Sequence, residues 1–489
     1  MRGRGRFVQN PFMTALRLAF ALPLAVLAVL AVLAAPTAAQ RLSPAETARI
    51  DELVADTFAR TGVPSASIAI VRGGEIVLTK AYGRQAAGGG APDPDVPQPI
   101  ASVSKQFTAA ALLLLEDEGK LSLDDTVDKH LPGITGGDRI TIRQLLSHTA
   151  GLQDYWPQDY SFAAMEKPVR PQAILDRWAK KPLDFEPGTA WQYSNTGYTA
   201  AGLIAEKAAG MPLLAFMERR LLKPLGLRAV DQDLAVGRGY AQGHERAALG
   251  PVRVVRWPAK GWLYATGHLA LSVADLARWN IARMNRAAVL PADDWAAQET
   301  TIKLADGSDT GYGLGVFAGT RDGRRFVGHD GAAVGFLTQN IVYPAEKTSI
   351  TVVINADFSD AAPTIANGIG KVVLPSASGP AASTDEAPVT ASARRMFDAL
   401  VAGAPDAARL TDNARYYFTP ARLGDYRTSL AALGSPSTFE PTRPARLRGG
   451  FVNRNYLVTY PDNRKLRIIT YAEQGSNGRY EQFLVQPAS

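Results

Sequence analysis

Ser102 and Lys105 stand three residues apart in Ala101-Ser102-Val103-Ser104-Lys105, just ahead of seven consecutive apolar residues at 109–115. On a helix, side chains at that spacing share a face, so the amine reaches the hydroxyl. A serine hydroxyl is a poor nucleophile until a neighbour takes its proton, and a lysine enclosed by apolar side chains has its pKa lowered toward the range of a base. The apolar run reads as a helix buried on all sides, with Ser102 in its first turn, where the helix dipole favours negative charge developing on an acyl substrate. A helix cap followed by a solvated lysine is the plainer reading of one Ser-x-x-Lys. This is the only one in the chain.

Two later stretches add to the first. Tyr193-Ser194-Asn195 follows the turn Glu186-Pro187-Gly188. A phenol near a lysine can pass a proton between serine and leaving group, and the Asn195 amide can bond a substrate amide. Gly328-His329-Asp330-Gly331-Ala332 precedes the strand expected near Phe336, and its glycines let a ligand lie against backbone. Such an edge can lend an N–H to an oxyanion hole, together with the N–H of Ser102.

The elements that carry these motifs follow from patterning. Ser43-Pro44-Ala45-Glu46 caps a helix expected to run to about residue 60. Residues 67–72 and 75–80 are short β-branched runs joined by Gly73-Gly74, a hairpin signal. Residues 121–286 are mostly helical in pattern and read as a helical lobe. Strands are expected at 313–317, 324–327, 336–342 and 349–355, rejoining the first hairpin in one antiparallel sheet, with a helix at 361–374 packed on it. The fold class is therefore α+β, an α/β sandwich whose antiparallel sheet is flanked by helices beside an all-helical lobe.

The chain of 489 residues divides into four expected parts. Residues 1–39 hold Arg2, Arg4, Arg6 and Arg17, then an apolar run and Thr37-Ala38-Ala39, which reads as a secretory signal peptide cut near Ala39. A retained membrane anchor is the alternative. Residues 40–374 form the main domain, 375–390 (PSASGPAASTDEAPVT) a linker, and 391–489 a small α+β domain with a helix at 391–402 and a three-stranded meander. Removing the first segment takes four arginines and no acids, so the formal charge of +7 falls to +3. The last segment carries fourteen Lys and Arg against eight Asp and Glu, which reads as a solvated surface or as a patch for an anionic polymer such as cell wall. With no cysteine there is no disulfide and no cysteine metal site, as suits an exported protein, and the expected compartment is periplasmic or extracellular.

Together, Ser102-Val103-Ser104-Lys105, Tyr193-Ser194-Asn195 and His329-Asp330-Gly331 resemble the three active-site motifs of the class C β-lactamase and penicillin-binding-protein-like serine hydrolases. Residues 145–152 (LLSHTAGL), 311–315 (GYGLG) and Gly335-Phe336 are also similar to signatures of that family. The resemblance covers about residues 45–374. It implies an acyl-enzyme mechanism in which Ser102 attacks a carbonyl, Lys105 and Tyr193 transfer the proton, and Asn195, His329, Gly331 and Ala332 line the substrate, with the Ser102 and Ala332 N–H groups facing the oxyanion. Which of Lys105 and Tyr193 is the base stays open. The β-lactamases of the family carry lysine where His329 stands, and histidine is a weaker, pH-dependent partner for a carboxylate. An ester or a D-amino-acid peptide or amide is therefore the expected substrate, small or cell-wall derived, with weak or no β-lactamase activity. His268, where relatives often have glycine, reads as a packed loop histidine, with a side chain facing the cleft as the alternative.

Other chemistries find no support. There is no Gly-x-Ser-x-Gly elbow, and the five histidines at 130, 148, 244, 268 and 329 show no short metal-binding spacing. No phosphate-cradling loop is present; no cofactor, metal or nucleic-acid partner is expected, nor a stable membrane anchor once the signal is cut. The alternative to an enzyme is a catalytically idle cell-wall-binding or sensory protein that works through its basic C-terminal segment.

Overall fold

The fold is given by a computed structural model that describes residues 41–86, 89, 91–235, 239–374, 386–443 and 445–488. The expected signal peptide, and residues 375–385 of the expected linker, lie outside the described residues.

The first helix, α1 (Pro44–Thr61), starts as its sequence predicts: the Ser43 hydroxyl accepts from Glu46 N–H while the Glu46 carboxylate accepts from Ser43 N–H. Strands β1 (Ser65–Arg72) and β2 (Glu75–Gly83) are joined by Gly73-Gly74, both at positive φ, as a tight hairpin turn requires. Next comes α2 (Lys105–Asp117), in which every residue from Lys105 to Leu115 is buried. Each enclosed leucine of that run contributes on the order of 2 kcal/mol. Around it close α3 (Asn195–Ala209) and the other helices of the lobe.

Helix α4 (Val273–Met284) leaves the lobe to pack on the sheet, whose remaining strands are β3 (Phe317–Arg321), β4 (Arg324–Ala333), β5 (Phe336–Tyr343) and β6 (Thr348–Ile354). The order is β2-β1-β6-β5-β4-β3, antiparallel throughout, so the first hairpin does rejoin the late strands. Side chains alternate across it. Ile68, Ile70, Ile350 and Val352 face α1 and α5 (Ala361–Val373), whereas Ala69, Val71 and Val353 face α4. Covering both faces makes these strands read as unbroken apolar runs rather than alternating ones.

Two expected strands change. The segment 313–317 is not a strand up to Phe317: Gly311 and Gly315 sit at positive φ, and a Cβ on Gly313 would meet the Gln298 carbonyl at 2.1 Å. The Gly328-to-Ala332 stretch, expected ahead of a strand, lies inside β4. Glycine there lets the strand press on its neighbours. A Cβ on Gly331 would lie 2.3 Å from the Ile100 carbonyl oxygen, beside the turn that holds Ser102.

The C-terminal segment contributes α6 (Ala387–Val401), α7 (Asp412–Tyr417) and α8 (Pro420–Leu430), then β7 (Thr438–Pro441), β8 (Arg446–Arg448), β9 (Phe451–Thr459), β10 (Lys465–Ala472) and β11 (Tyr480–Pro487). Their sheet runs β7-β9-β10-β11, with β8 also on β9, so the expected three-stranded meander gains two short strands. Its core takes in Tyr160, Ala247 and Ala248 from the main body, and Tyr160 stacks on Tyr417 at 4.4 Å. Arg422 and Glu245 pair across the same boundary at 2.6 Å.

Gly331→Ala should lower the unfolding free energy by about 1–3 kcal/mol in urea denaturation, the usual cost of a forced overlap. Because the overlap falls on Ile100, Ser102 should also react more slowly with a serine-directed probe. Unchanged stability and unchanged labelling would show that β4 and the Ser102 turn are not in register as described.

Candidate active site

Ser102 sits in a 3-10 turn, Ala101–Ser104, that precedes α2, so Lys105 and not Ser102 occupies the first turn of the α-helix. The expected placement of Ser102 inside the helix is thus corrected by one turn. The tightening has a local cause. Ala101 has φ +48, a left-handed conformation that costs an L-residue roughly 1–2 kcal/mol. It is held there by Ile100 N–H donating to Leu269 O at 3.1 Å and Leu269 N–H donating to the Ser104 hydroxyl at 3.1 Å.

Lys105 is fully enclosed, and its Nζ lies 3.0 Å from Ser102 Oγ, 2.9 Å from Asn195 Oδ1 and 2.8 Å from the Thr266 carbonyl oxygen. Burial pushes its pKa well below the usual lysine range, against the pull of the Asp154 carboxylate and with help from the Arg448 guanidinium. A neutral amine has two N–H bonds and one lone pair. The Asn195 amide oxygen and the Thr266 carbonyl can only accept, so they take both N–H bonds and leave the lone pair facing the Ser102 hydroxyl.

Tyr193 lies in the same enclosure. Its ring packs 4.2 Å from the His148 ring and its centroid is 4.8 Å from Lys105 Nζ. Burial holds the phenol pKa well above the usual range, and the nearby Ser102 hydroxyl opposes the shift only in part, so the resting phenol is protonated. No neighbour occupies the phenol oxygen with a hydrogen bond of ordinary geometry among the described residues. His148, at φ +61, accepts from Ser194 N–H through Nδ1 at 3.1 Å and so fixes the turn that carries Tyr193.

Asn195 opens α3, where the Ser194 hydroxyl caps Gly197 N–H. Its amide oxygen is taken by Lys105, and its Nδ2 lies 3.3 Å from Asp154 Oδ2. Ser102, Tyr193, Asn195, His329, Gly331 and Ala332 line one cavity of about 310 Å³. The structure therefore gathers all the expected site residues except Lys105, which lies directly behind Ser102.

His329 does not present a ring nitrogen to that cavity. Its Nε2 is 2.9 Å from the Tyr312 hydroxyl and its Nδ1 2.5 Å from the Asp330 carbonyl oxygen, and burial pushes its pKa down to about 4. The expected pH-dependent hold on a carboxylate is replaced by a neutral ring anchored to β4 and Tyr312. His268 is buried, with its pKa pushed down to about 3, and packs as expected away from the cavity wall.

Sequence reasoning missed Arg448 and Asp154. Asp154, 4% exposed, accepts from Asn195 N–H at 3.1 Å and from Arg448 Nε at 2.9 Å, and the Arg448 guanidinium stands 5.0 Å over the Tyr193 ring. Thus β8 of the C-terminal sheet reaches into the cluster around Lys105 and Tyr193. Gly449 makes the approach possible: at φ +58, its Cβ position would lie 2.7 Å from the Pro157 side chain. Gly449-Gly450 is a visible turn signal, but the Asp154 partner of Arg448 lies 294 residues away in sequence.

Arg448→Ala should destabilise the protein by about 3–5 kcal/mol, because it strands the buried Asp154 carboxylate without its counter-charge. Adding Asp154→Asn should recover part of that loss in the same denaturation experiment. A surface-like cost below about 1 kcal/mol would contradict the buried pair.

The β-lactamase family model (Beta-lactamase) matches residues 50–372. Penicillin-binding protein 4* of Bacillus subtilis is 31% identical over 277 residues, or 53% of this chain and 60% of that protein, so this chain spans about 60% of that relative's length. Among solved structures, a D-stereospecific amidohydrolase from Streptomyces sp. has 26% identity and a TM-score of 0.57 over 65% of this chain and 96% of that one. An octameric penicillin-binding protein homologue from Pyrococcus abyssi, 21% identical, shares the fold at a TM-score of 0.59 over 90% of this chain and 99% of its own. With the family match running from within α1 to the last turn of α5, the chain belongs to the β-lactamase family.

Proposed function

We propose that this chain is an exported serine hydrolase that forms an acyl-enzyme on esters or on D-amino-acid amides and peptides, with little or no turnover of β-lactams. The observation that carries the reading is the enclosed Lys105 amine, 3.0 Å from Ser102 Oγ, with its two other neighbours both acceptors. Export rests on the arginine-led apolar stretch at residues 1–39.

In this mechanism the Lys105 lone pair takes the Ser102 proton as Oγ attacks the carbonyl carbon. The resulting oxyanion faces the Ser102 and Ala332 N–H groups. As the intermediate collapses, the C–O or C–N bond breaks, Tyr193 gives its proton to the leaving group, and the Lys105 ammonium restores it. Water then adds to the acyl carbon, its proton leaves by the same route, and Ser102 is released. Assigning Lys105 as base follows from the opposed shifts: burial favours a neutral amine and an un-ionised phenol, and only the amine can then accept a proton.

The preference against β-lactams rests on His329. It occupies the place of a family lysine, yet its ring is neutral and both nitrogens are bonded within the protein. Similarity to a D-stereospecific amidohydrolase favours a D-configured amide among the candidates.

A fluorophosphonate probe should label the wild type and not Ser102→Ala, and Lys105→Ala should slow labelling by about 10²- to 10⁴-fold. On a panel of nitrocefin, p-nitrophenyl acetate and D-alanine p-nitroanilide, the ester or the anilide should give the highest kcat/KM. Labelling that persists in Ser102→Ala, or nitrocefin as the best substrate, would overturn the reading.

A further inference from the structure

The wall of the active-site cavity opposite the chemistry is a face of the C-terminal sheet. Along β9 and β10, alternate residues share a face, and Asn453 pairs in register with Tyr471. From that face Asn453, Arg467, Ile469 and Tyr471 reach the cavity, and Arg443 and Arg446 join them from the segment containing β8.

The chemistry of the three arginines is unlike that of Arg448. Arg448 is neutralised by Asp154 at 2.9 Å and Asp159 at 3.8 Å. Among the described residues, neither Arg443, Arg446 nor Arg467 forms an ion pair. Arg443 donates to the Asn453 side-chain oxygen at 2.7 Å and Arg467 to that of Asn455 at 3.0 Å. Both asparagines are buried, at 5% and 2% exposure. A neutral amide oxygen aims a guanidinium without cancelling its charge. Arg446 has neither amide nor carboxylate partner among the described residues. Arg446 is exposed to solvent at the cavity mouth, where partial desolvation and the neighbouring Arg443 hold its pKa below the usual arginine range, with Asp330 opposing. Asp159, Asp330 and Asp357 also line the cavity: Asp159 lies 3.8 Å from Arg448, Asp330 forms no ion pair with the three arginines, and burial pushes the Asp357 carboxyl up to about 7.

A second observation points the same way. Gln158, 1% exposed, and Thr338, 2% exposed, line the cavity with their side-chain polar atoms unbonded to any described residue. Buried amides and hydroxyls of that kind are costly unless a ligand meets them.

We propose that Arg443, Arg446 and Arg467 form a carboxylate subsite of the active-site cavity, and that the preferred substrates carry a second acidic group remote from the scissile carbonyl. Guanidinium forks match carboxylates in a bidentate manner, and in a partly enclosed cavity such bonds are strong. The C-terminal segment is thereby a specificity element: Arg443 and Arg446 stand exposed at the mouth of the cavity and Arg467 is half-buried in its wall. This proposal rests on the serine-hydrolase reading above.

The test compares mono-p-nitrophenyl glutarate with p-nitrophenyl pentanoate, esters of the same chain length with and without a terminal carboxylate. The wild type should prefer the glutarate ester, and Arg446→Ala should lower the ratio of the two kcat/KM values by about tenfold, the worth of one charge-assisted bond. Arg446→Lys should fall between the two. Calorimetric titration of Ser102→Ala protein with glutarate supplies a readout that needs no turnover: binding should be seen, should be weakened about tenfold by adding Arg446→Ala, and should exceed that of inorganic phosphate. If neither ester nor D-alanine p-nitroanilide is turned over while glutarate binds in this way, the subsite stands and the hydrolase reading fails. A wild type that prefers the pentanoate ester, an unchanged ratio in Arg446→Ala, no glutarate binding, or tighter binding of phosphate would overturn the carboxylate subsite.

Discussion

A lysine nitrogen shut away from water, with three oxygens around it, is the constraint on which the rest of the structure depends. Burying a charged amine costs several kcal/mol, so the enclosure favours the neutral form. The sign matters for stability. Where the unfolded chain holds a proton that the folded chain does not, stability rises with pH; below the unfolded lysine range the Lys105 site therefore costs folding free energy. The apolar run of α2 offsets that cost, and the same run keeps water from the amine. Core and candidate site thus share one helix.

The cluster is completed from distant parts of the chain, each by a rigid connection. Thr266 brings a carbonyl, Asn195 an amide from the start of α3, and β4 lies against the Ser102 turn because Gly331 has no side chain. The C-terminal sheet adds Arg448 through the Asp154 carboxylate, which also holds the Asn195 backbone. Asp154 therefore couples a residue bonded to the Lys105 amine with a residue of the segment that roofs the cavity. That coupling gives the C-terminal segment a physical role at the site beyond being attached to it.

What the sequence disclosed follows from the range of the interactions involved. Ser102 and Lys105 were legible because their relation is set within one turn, and α1 and the first hairpin because caps and paired glycines act locally. The antiparallel sheet could be assembled from its apolar runs, since both faces are covered. The glycines flanking His329 read as a loop ahead of a strand, although the residue lies inside β4. In the fold, Gly331 permits a close approach that no local pattern announces. Arg448, Asp154 and the arginines of the cavity wall were invisible for another reason: their partners lie far along the chain, and composition alone makes a basic segment look solvated. The short strands β7 and β8 were lost among Pro441, Pro444 and the Gly449-Gly450 turn.

The protonation state of Lys105 can be measured directly. Lysine labelled with ¹³C at the ε carbon, assigned by comparison with Lys105→Arg protein, reports protonation through its chemical shift. The account predicts one resonance that titrates well below the remaining lysines and is in the neutral form near the pH of maximal Ser102 reactivity. A Lys105 resonance that titrates with the surface lysines would contradict it, and with it the assignment of Lys105 as the base.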